Sequence, residues 1–539
     1  MNEIFDYMLT HSPALIIAVP LLGAFLTPLV GMIHSKIRDG FVVFITLLTG
    51  FFGVILANDV LVNEKIRTYC FGASDPSVNP VVRIFFEVDA MSAFMALIAV
   101  ILPIVAIIYS LKYMKGETGL DKYYSLMLLM TVGMLGMVLT GDLFNFFVFL
   151  EITSIASAAL IAFWNHKKNS VQAAFKYIVI SSIGALMILF AVAIFYGQYN
   201  ALNMAVIANN ISLTFLDKVA FVLLISALFM KAAIAPLHMW LADAYSGAPS
   251  SATVVIVGTT LASLYALFRI TFTVYGKQML SVLRTIGEFE VTTSLLIGVF
   301  LLILAIVTIL IGVFMALKSS DFKRMIAYAA VAEIGYMILA VGAAISTFYT
   351  DPATGAMTMQ PFGTTALTGG VFHIFNDALD IGLLFLVAGA VYYATKETSI
   401  DRLGGLSRKM KYTTVFFLIG LFAASGLPPL NGFASKLIIY QSTYQVNPII
   451  AIVAILASIM LLAVFVKVFY SVFMGPKLPS LEKAKKVPKT MLVSMGILAC
   501  LIIFVGLFPD IFINNIVEPA VNALTSPDRY INAIIGGGI

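Results

Sequence analysis

The sequence predicts an all-α membrane protein of about 14 transmembrane helices, with two inverted five-helix repeats and broken helices in spans 7, 11 and 12. Three observations predict it. Of 539 residues, 61% are hydrophobic and only 11% charged, against roughly 25% charged in soluble domains, and the mean hydropathy is +1.02. Apolar runs of about 20 residues recur, each long enough to cross a hydrocarbon core of about 30 Å. The runs are continuous and lack the alternation of a transmembrane barrel, so the spans are helices.

In order, the spans fall near 12–33, 40–62, 91–112, 123–141, 143–164, 172–196, 217–236, 251–276, 292–317, 322–346, 365–395, 412–440, 448–474 and 490–513. The first follows an acidic Asn-Glu-Ile-Phe-Asp start, not a basic one, and reads as a retained span instead of a cleaved signal. The seventh carries Pro236 soon after a lysine. The twelfth contains Ser-Gly-Leu-Pro-Pro-Leu-Asn-Gly (425–432), whose Pro428 and Pro429 cannot sit in regular helix. The eleventh is overlong and starts with Thr-Gly-Gly, which reads as a third break. Interrupted helices at corresponding places in two halves point to inverted repeats around a transport path. The expected division is 1–122 (spans one to three), 123–276 (first repeat, spans four to eight), 292–474 (second repeat, spans nine to thirteen) and 475–539 (span fourteen and tail).

Loops after odd-numbered spans hold most of the Lys and Arg, including Lys36, Arg38, Lys112, Lys115, Lys122, Lys167, Lys168, Lys318, Lys323 and Arg324. The positive-inside rule then places both termini outside. The loops are too short for a soluble nucleotide or redox domain. Two cysteines, Cys70 and Cys500, supply neither a disulfide framework nor a clustered metal motif. The net charge of +5 lies in membrane loops and says nothing of nucleic acid.

The informative residues are charges inside spans. A charge at a helix centre costs about 2.5–3.5 kcal/mol on insertion scales, so it is expected to have a partner and a function. Glu151, Lys176, Lys231, Glu333, His373, Asp377, Asp380, Lys436 and Lys467 qualify. Glu151, midway along span five, is either a fixed ion pair between helices or a proton carrier. Burial disfavours the ammonium of Lys231 and a nearby carboxylate favours it, so a lysine between those influences can exchange a proton near neutral pH. Pro236 frees a backbone carbonyl that helps hydrate such a site. Lys436 repeats the pattern after the break in span twelve. Lys176 and Lys467 are open to two readings, relay or snorkelling to the interface. His373, Asp377 and Asp380 sit at i, i+4 and i+7, on one helix face. They read as a proton or cation site or as a packed polar seam; a metal site lacks a second His or Cys cluster. His238 and Asp243 read as structural parts of the half-helix after Pro236. No catalytic residue is expected.

The stretch FMKAAIAPLHMWLADAYSGAPSSATV resembles the segment shared by antiporter-like subunits of respiratory complex I, Mrp-type cation/proton antiporters and group 4 membrane-bound hydrogenases. LFNFFVFLEITS, SSDFKRMIAYAAVAEIGYM and GLPPLNGFASK agree with the same family. The resemblance covers roughly 80–470 and implies 14 helices with two inverted five-helix repeats. It implies that Glu151 and Lys231 are the charged pair of a first half-channel, Lys436 the terminal titratable group of a second, and His373 a histidine of a broken eleventh helix.

Two departures stand out. Span eight, VVIVGTTLASLYALFRI, offers no bridging Lys or His, and Ile381 stands where the family has a lysine in span eleven. The central relay is thinned of bases and enriched in acids. Either Asp377, Asp380 and Glu333 with water substitute, or another ion moves, or pumping is lost. The resemblance implies an ion-translocating (H+ and/or Na+/H+) membrane subunit of a multisubunit redox-driven complex. A ferredoxin-linked membrane-bound hydrogenase or sulfur reductase is the first expectation. The alternatives are an Mrp-type antiporter without redox partners and a non-pumping scaffold. The Ala-Glu-Ile-Gly around Glu333 favours the hydrogenase-type branch. No cofactor is expected in this chain. The expected partners are sibling membrane subunits, lipid, H+ and Na+, and the expected location is the plasma membrane.

Overall fold

A computed structural model describes residues 2–535 except 64, 72–83, 281–282, 287–288, 351–356, 477 and 483. Among the described residues, 12 helices are long and apolar enough to cross a membrane. Two further crossings are assembled from shorter helices. Span seven runs Phe215–Lys231, breaks, and resumes as Leu241–Gly247. Span twelve runs Lys411–Ala424 and resumes as Asn431–Val446. Together they give the expected 14 crossings.

Both breaks are built alike. After Lys231 the Ile234 amide donates to the Phe229 carbonyl at 3.0 Å and the Ala233 amide to Met230 at 3.4 Å. After Ala424 the Leu427 amide donates to Phe422 and the Gly426 amide to Ala423, each at 2.9 Å. These are two Schellman closures, each with one left-handed residue, Ala233 (φ 56°) and Gly426 (φ 71°). A cis proline peptide follows in each, at Ala235–Pro236 and at Pro428–Pro429. Carbonyls at the breaks also take side-chain donors: Met230 accepts from Trp240 Nε1 at 2.7 Å, and Ala424 from Lys436 Nζ at 2.7 Å.

Span eleven corrects the expectation of a third break. It is one α-helix, Pro361–Thr395, of 35 residues. Its glycines serve close packing and do not interrupt it. A Cβ at Gly369 would lie 3.1 Å from the Ile439 backbone nitrogen, and one at Gly370 would lie 2.7 Å from the Ala340 Cβ. Spans nine and ten (Thr293–Lys318 and Phe322–Ser346) meet backbone to backbone in the same way. Gly312 faces the Tyr328 carbonyl and Gly335 the Ala305 carbonyl, with room for no side chain.

Span eight (Ser250–Phe268, continuing as a π-helical turn to Val274), span ten and span eleven are almost wholly buried, so they form the protein's centre. Spans one, six, nine, thirteen and fourteen have the most open apolar faces and form its perimeter. Among the described residues, three antiparallel hairpins, Arg67–Cys70 with Phe85–Val88, Leu283–Ile286 with Phe289–Thr292, and Phe348–Thr350 with Met357–Met359, follow spans two, eight and ten. All three therefore sit on one membrane face, opposite the basic loops.

Candidate functional site

A dense buried polar network joins spans ten, eleven and twelve. Glu333, three turns into span ten, holds Lys436 Nζ at 2.8 Å with one carboxyl oxygen and His373 Nε2 at 2.8 Å with the other. Lys436 begins the second turn after the break in span twelve, and its ammonium also lies 4.4 Å from the centre of the Tyr336 ring. His373 Nδ1 contacts Ser435 Oγ at 3.0 Å. Asn376 Nδ2 donates to that hydroxyl at 2.9 Å and to the Asn431 carbonyl at 3.0 Å. Asn431 Nδ2 in turn donates to Asp380 Oδ1 at 3.1 Å. Glu333, His373 and Lys436 are each no more than 2% exposed, so both contacts to Glu333 act at low dielectric, where charge-assisted hydrogen bonds are strongest.

The chemistry of this chain divides in two. An amine, a carboxyl, an imidazole and a hydroxyl can each accept one proton and release another, so Lys436, Glu333, His373 and Ser435 are a contiguous set of groups of that chemistry. Carboxamides do not readily do so, and Asn376 with Asn431 clamps the break in span twelve against span eleven. Asp377 stands apart. It is buried, and its Oδ1 has no hydrogen-bond partner among the described residues. Tyr245 donates to Thr260 of span eight at 2.8 Å. Span eight packs against span eleven at the centre, where it lacks a base and where Ala262 and Ile381 are buried.

The first half is arranged differently. Lys231 ends its half-helix among spans five and six (Leu143–Ile161 and Lys168–Tyr199). It donates to Ser154 Oγ at 2.6 Å and to Ser181 Oγ, and the two hydroxyls are 3.1 Å apart. Glu151, expected as its partner, makes no ion pair with the ammonium among the described residues, and Glu151 Oε1 has no hydrogen-bond partner there. The reason is positional. Ser154 lies one turn beyond Glu151 and reaches the ammonium first, while Glu151 is half-buried in line with exposed Phe144, Val148 and Ile155.

Lys176 belongs to a third place. It pairs with Asp243 at 2.8 Å, as does Arg324 at 3.0 Å. These side chains line a cavity of about 860 Å³ at the face of the basic loops, with Lys167, Lys168 and Lys323. Lys323 is buried and donates to the carbonyls of Ser246 and Ala248, closing the C-terminal end of Leu241–Gly247. Lys467 lies exposed, with Nζ 3.2 Å from the Leu317 carbonyl. Of the proline-side residues, Pro236, Pro428 and Pro429 are exposed at the breaks and His238 is half-buried.

Sequence reading missed Ser154, Ser181, Ser435 and Asn431 as partners. Ser154 and Ser435 lie within a turn of Glu151 and Lys436 and were an available signal, whereas Ser181 and Asn431 lie farther from any charge in sequence. It also gave Asp243 only a structural part, although this residue holds two cations at the mouth of the cavity.

The chain matches the family model described as NADH:quinone oxidoreductase/Mrp antiporter, TM, over residues 140–462. It also matches the model for the N-terminus of complex I chain 5 over 79–124. It is 30% identical over 534 residues to NADH-quinone oxidoreductase subunit N of Desulforudis audaxviator, covering 95% of this chain and 99% of that one. It is 29% identical over 460 residues to one of the Na(+)/H(+) antiporter subunits of Alkalihalophilus pseudofirmus, covering 81% of this chain and 54% of that longer one. Its fold matches a chain of the archaeal membrane-bound sulfane sulfur reductase, a respiratory membrane complex, with a TM-score of 0.82 and 28% identity over 97% of this chain and 99% of that one. The helical architecture, the two broken lysine helices and these matches agree: the chain belongs to the NADH:quinone oxidoreductase/Mrp antiporter family of membrane subunits.

Proposed function

We propose that this chain translocates protons, or exchanges Na+ for H+, as one membrane subunit of a redox-driven complex of the ferredoxin-linked hydrogenase or sulfur-reductase type. The observation that carries the reading is the buried Lys436–Glu333–His373 sequence. Three ionisable groups at this depth would be costly in a purely structural role. The basic cavity, with Lys176 and Asp243 at its mouth, supplies the aqueous approach from the inside, and Lys231 with Ser154 and Ser181 is the first buried station. Asp377 and Asp380 stand in for the missing bases at the centre.

The likeness to a chain of the sulfane sulfur reductase complex supports the redox-coupled branch. The likeness to the Na(+)/H(+) antiporter of Alkalihalophilus pseudofirmus favours, as a second reading, cation/proton exchange without redox partners. In the redox-coupled case the electron carriers would reside in sibling subunits. The half-buried Glu151 on an open face of span five supports a neighbouring membrane subunit there, since lipid offers a carboxyl no donor. The distribution of basic loops supports a plasma-membrane orientation with both termini outside.

The test is transport by the purified complex in sealed vesicles, driven by reduced ferredoxin and read as internal pH and as labelled sodium. Lys436→Ala and Glu333→Gln should each abolish ion movement while the redox reaction continues. Full transport in both variants would overturn the reading and leave a scaffold. Sodium exchange driven by a pH gradient alone would move the assignment to the second reading.

A further inference from the structure

Glu87 is a buried acid that this path does not use. It lies in the strand Phe85–Val88, on the face of the hairpins and opposite the basic cavity. It is fully buried, and neither carboxyl oxygen has a well-formed hydrogen bond among the described residues. The cation beside it is already engaged. Arg269, in the π-helical turn of span eight, forks onto Asp89 with contacts of 2.7 and 2.6 Å, and also donates to Tyr265 at 3.2 Å and Ser92 at 3.3 Å. One positive charge therefore meets two carboxyls, and the bidentate geometry gives it to Asp89.

A second buried charge with no well-placed donor is unfavourable, so Glu87 rests as the neutral acid. Burial, opposed in part by Arg269, raises the Glu87 carboxyl well above the usual carboxylate range. The groups facing it are Arg269 from span eight, Asp89 at the start of span three and the Tyr530 hydroxyl from the helix Pro527–Ile535. Tyr265 stands behind, against Arg269.

Tyr530 sits between this acid and water. Its ring covers the Arg269 guanidinium at 4.6 Å. A Cβ on Gly141 would lie 2.8 Å from Glu87 Oε2 and 3.3 Å from the Tyr530 hydroxyl, so acid and hydroxyl share one small space. On its other side Tyr530 lines a cavity of about 220 Å³ with Asp89, Lys65, Asn514, Glu518 and Asn522.

We propose that Glu87 is a proton-exchange site on this face of the membrane, reached from the cavity through the Tyr530 hydroxyl. The inference rests on the proton-translocating reading and adds its terminus. In each exchange the hydroxyl accepts a proton from the Glu87 carboxyl and releases its own to water in the cavity, or the reverse. Arg269 then faces the transient carboxylate.

The test combines infrared difference titration of the whole complex, carbodiimide labelling of buried acids read by mass spectrometry, and vesicle transport at varied pH on the hairpin face. The expected result is a protonated-carboxyl signal lost in Glu87→Gln, labelling at Glu87, and transport that loses its dependence on pH at that face in the variant. Tyr530→Phe should slow proton exchange at Glu87 by about tenfold or more, and it carries the test should Glu87→Gln fail to assemble. Absence of a titrating signal at Glu87, or unchanged transport and pH dependence in both variants, would overturn the proposal. Transport that survives Lys436→Ala but still responds to Glu87→Gln would remove the second-half path and leave the terminus standing.

Discussion

Replacing Lys436 by methionine, close in length but uncharged, isolates the worth of its pairing with Glu333. The ammonium is 2.8 Å from the carboxylate, and both side chains are no more than 2% exposed. Removing one member of a buried pair leaves the other charge uncompensated and costs about 3–5 kcal/mol. The 2.7 Å contact to the Ala424 carbonyl is lost as well, a single hydrogen bond worth about 1 kcal/mol. His373, 2.8 Å from the second carboxyl oxygen, offsets part of the loss wherever it can take a proton. We expect Lys436→Met to lose about 3–4 kcal/mol near neutral pH. The double variant Lys436→Met with Glu333→Gln removes the stranded charge and should lose only about 1–2 kcal/mol, about 2 kcal/mol less than Lys436→Met alone. Detergent-titrated unfolding of the purified subunit in micelles measures all corners of this cycle. Additive losses, or a double variant less stable than Lys436→Met, would refute the pairing as the source of the energy.

Other sites give sharper or smaller effects. Ser154→Ala with Ser181→Ala strips the Lys231 ammonium of both acceptors and should cost about 2–4 kcal/mol with loss of transport; wild-type stability would show that Glu151 had been its real partner. Gly426→Ala places a Cβ 2.9 Å from Lys436 Cδ at a left-handed residue, so unfolding should become easier by about 1–2 kcal/mol, with a matching fall in ion movement. Asp243→Asn releases Lys176 and Arg324, whose side chains are 41% and 44% exposed, so stability should change by less than about 1 kcal/mol while the initial transport rate falls most at low salt. For Glu87, the native state holds a proton that the unfolded chain releases above about pH 4.3. Wild-type stability should therefore decline as pH rises from there toward the raised native value. Glu87→Gln should flatten that decline in a pH series of unfolding curves.

Hydropathy alone located the crossings, because each must bury its backbone in oil and no short-range signal competes. Prolines marked spans seven and twelve as broken, and the same logic failed at Thr-Gly-Gly in span eleven. Glycine there answers to Ile439 and Ala340 across the helix interface, which local sequence does not reveal. Single buried charges were visible one by one, whereas their partners were not. Lys436 finds Glu333 at a separation of 103 residues and Arg269 finds Asp89 at 180. Arg269 and Glu87 escaped notice for a related reason: each stands near the end of an apolar run, where a charge ordinarily meets water. The exchange of Glu151 for two serines around Lys231 depends on side-chain reach between three helices, and no spacing rule encodes it.

The unbroken helix Pro361–Thr395 restricts how any ion transfer can be timed. At 1.5 Å per residue it is about 52 Å long, a stiff rod with His373, Asp377 and Asp380 fixed at set intervals along it. Those three cannot approach or part by bending their own support. Alternation has to come from rotating side chains, from water entering or leaving, or from tilting of the short segments that end at Lys231 and begin at Asn431. Cross-linking either short segment to this rod should therefore stall turnover, while stiffening the rod itself should leave it unaffected.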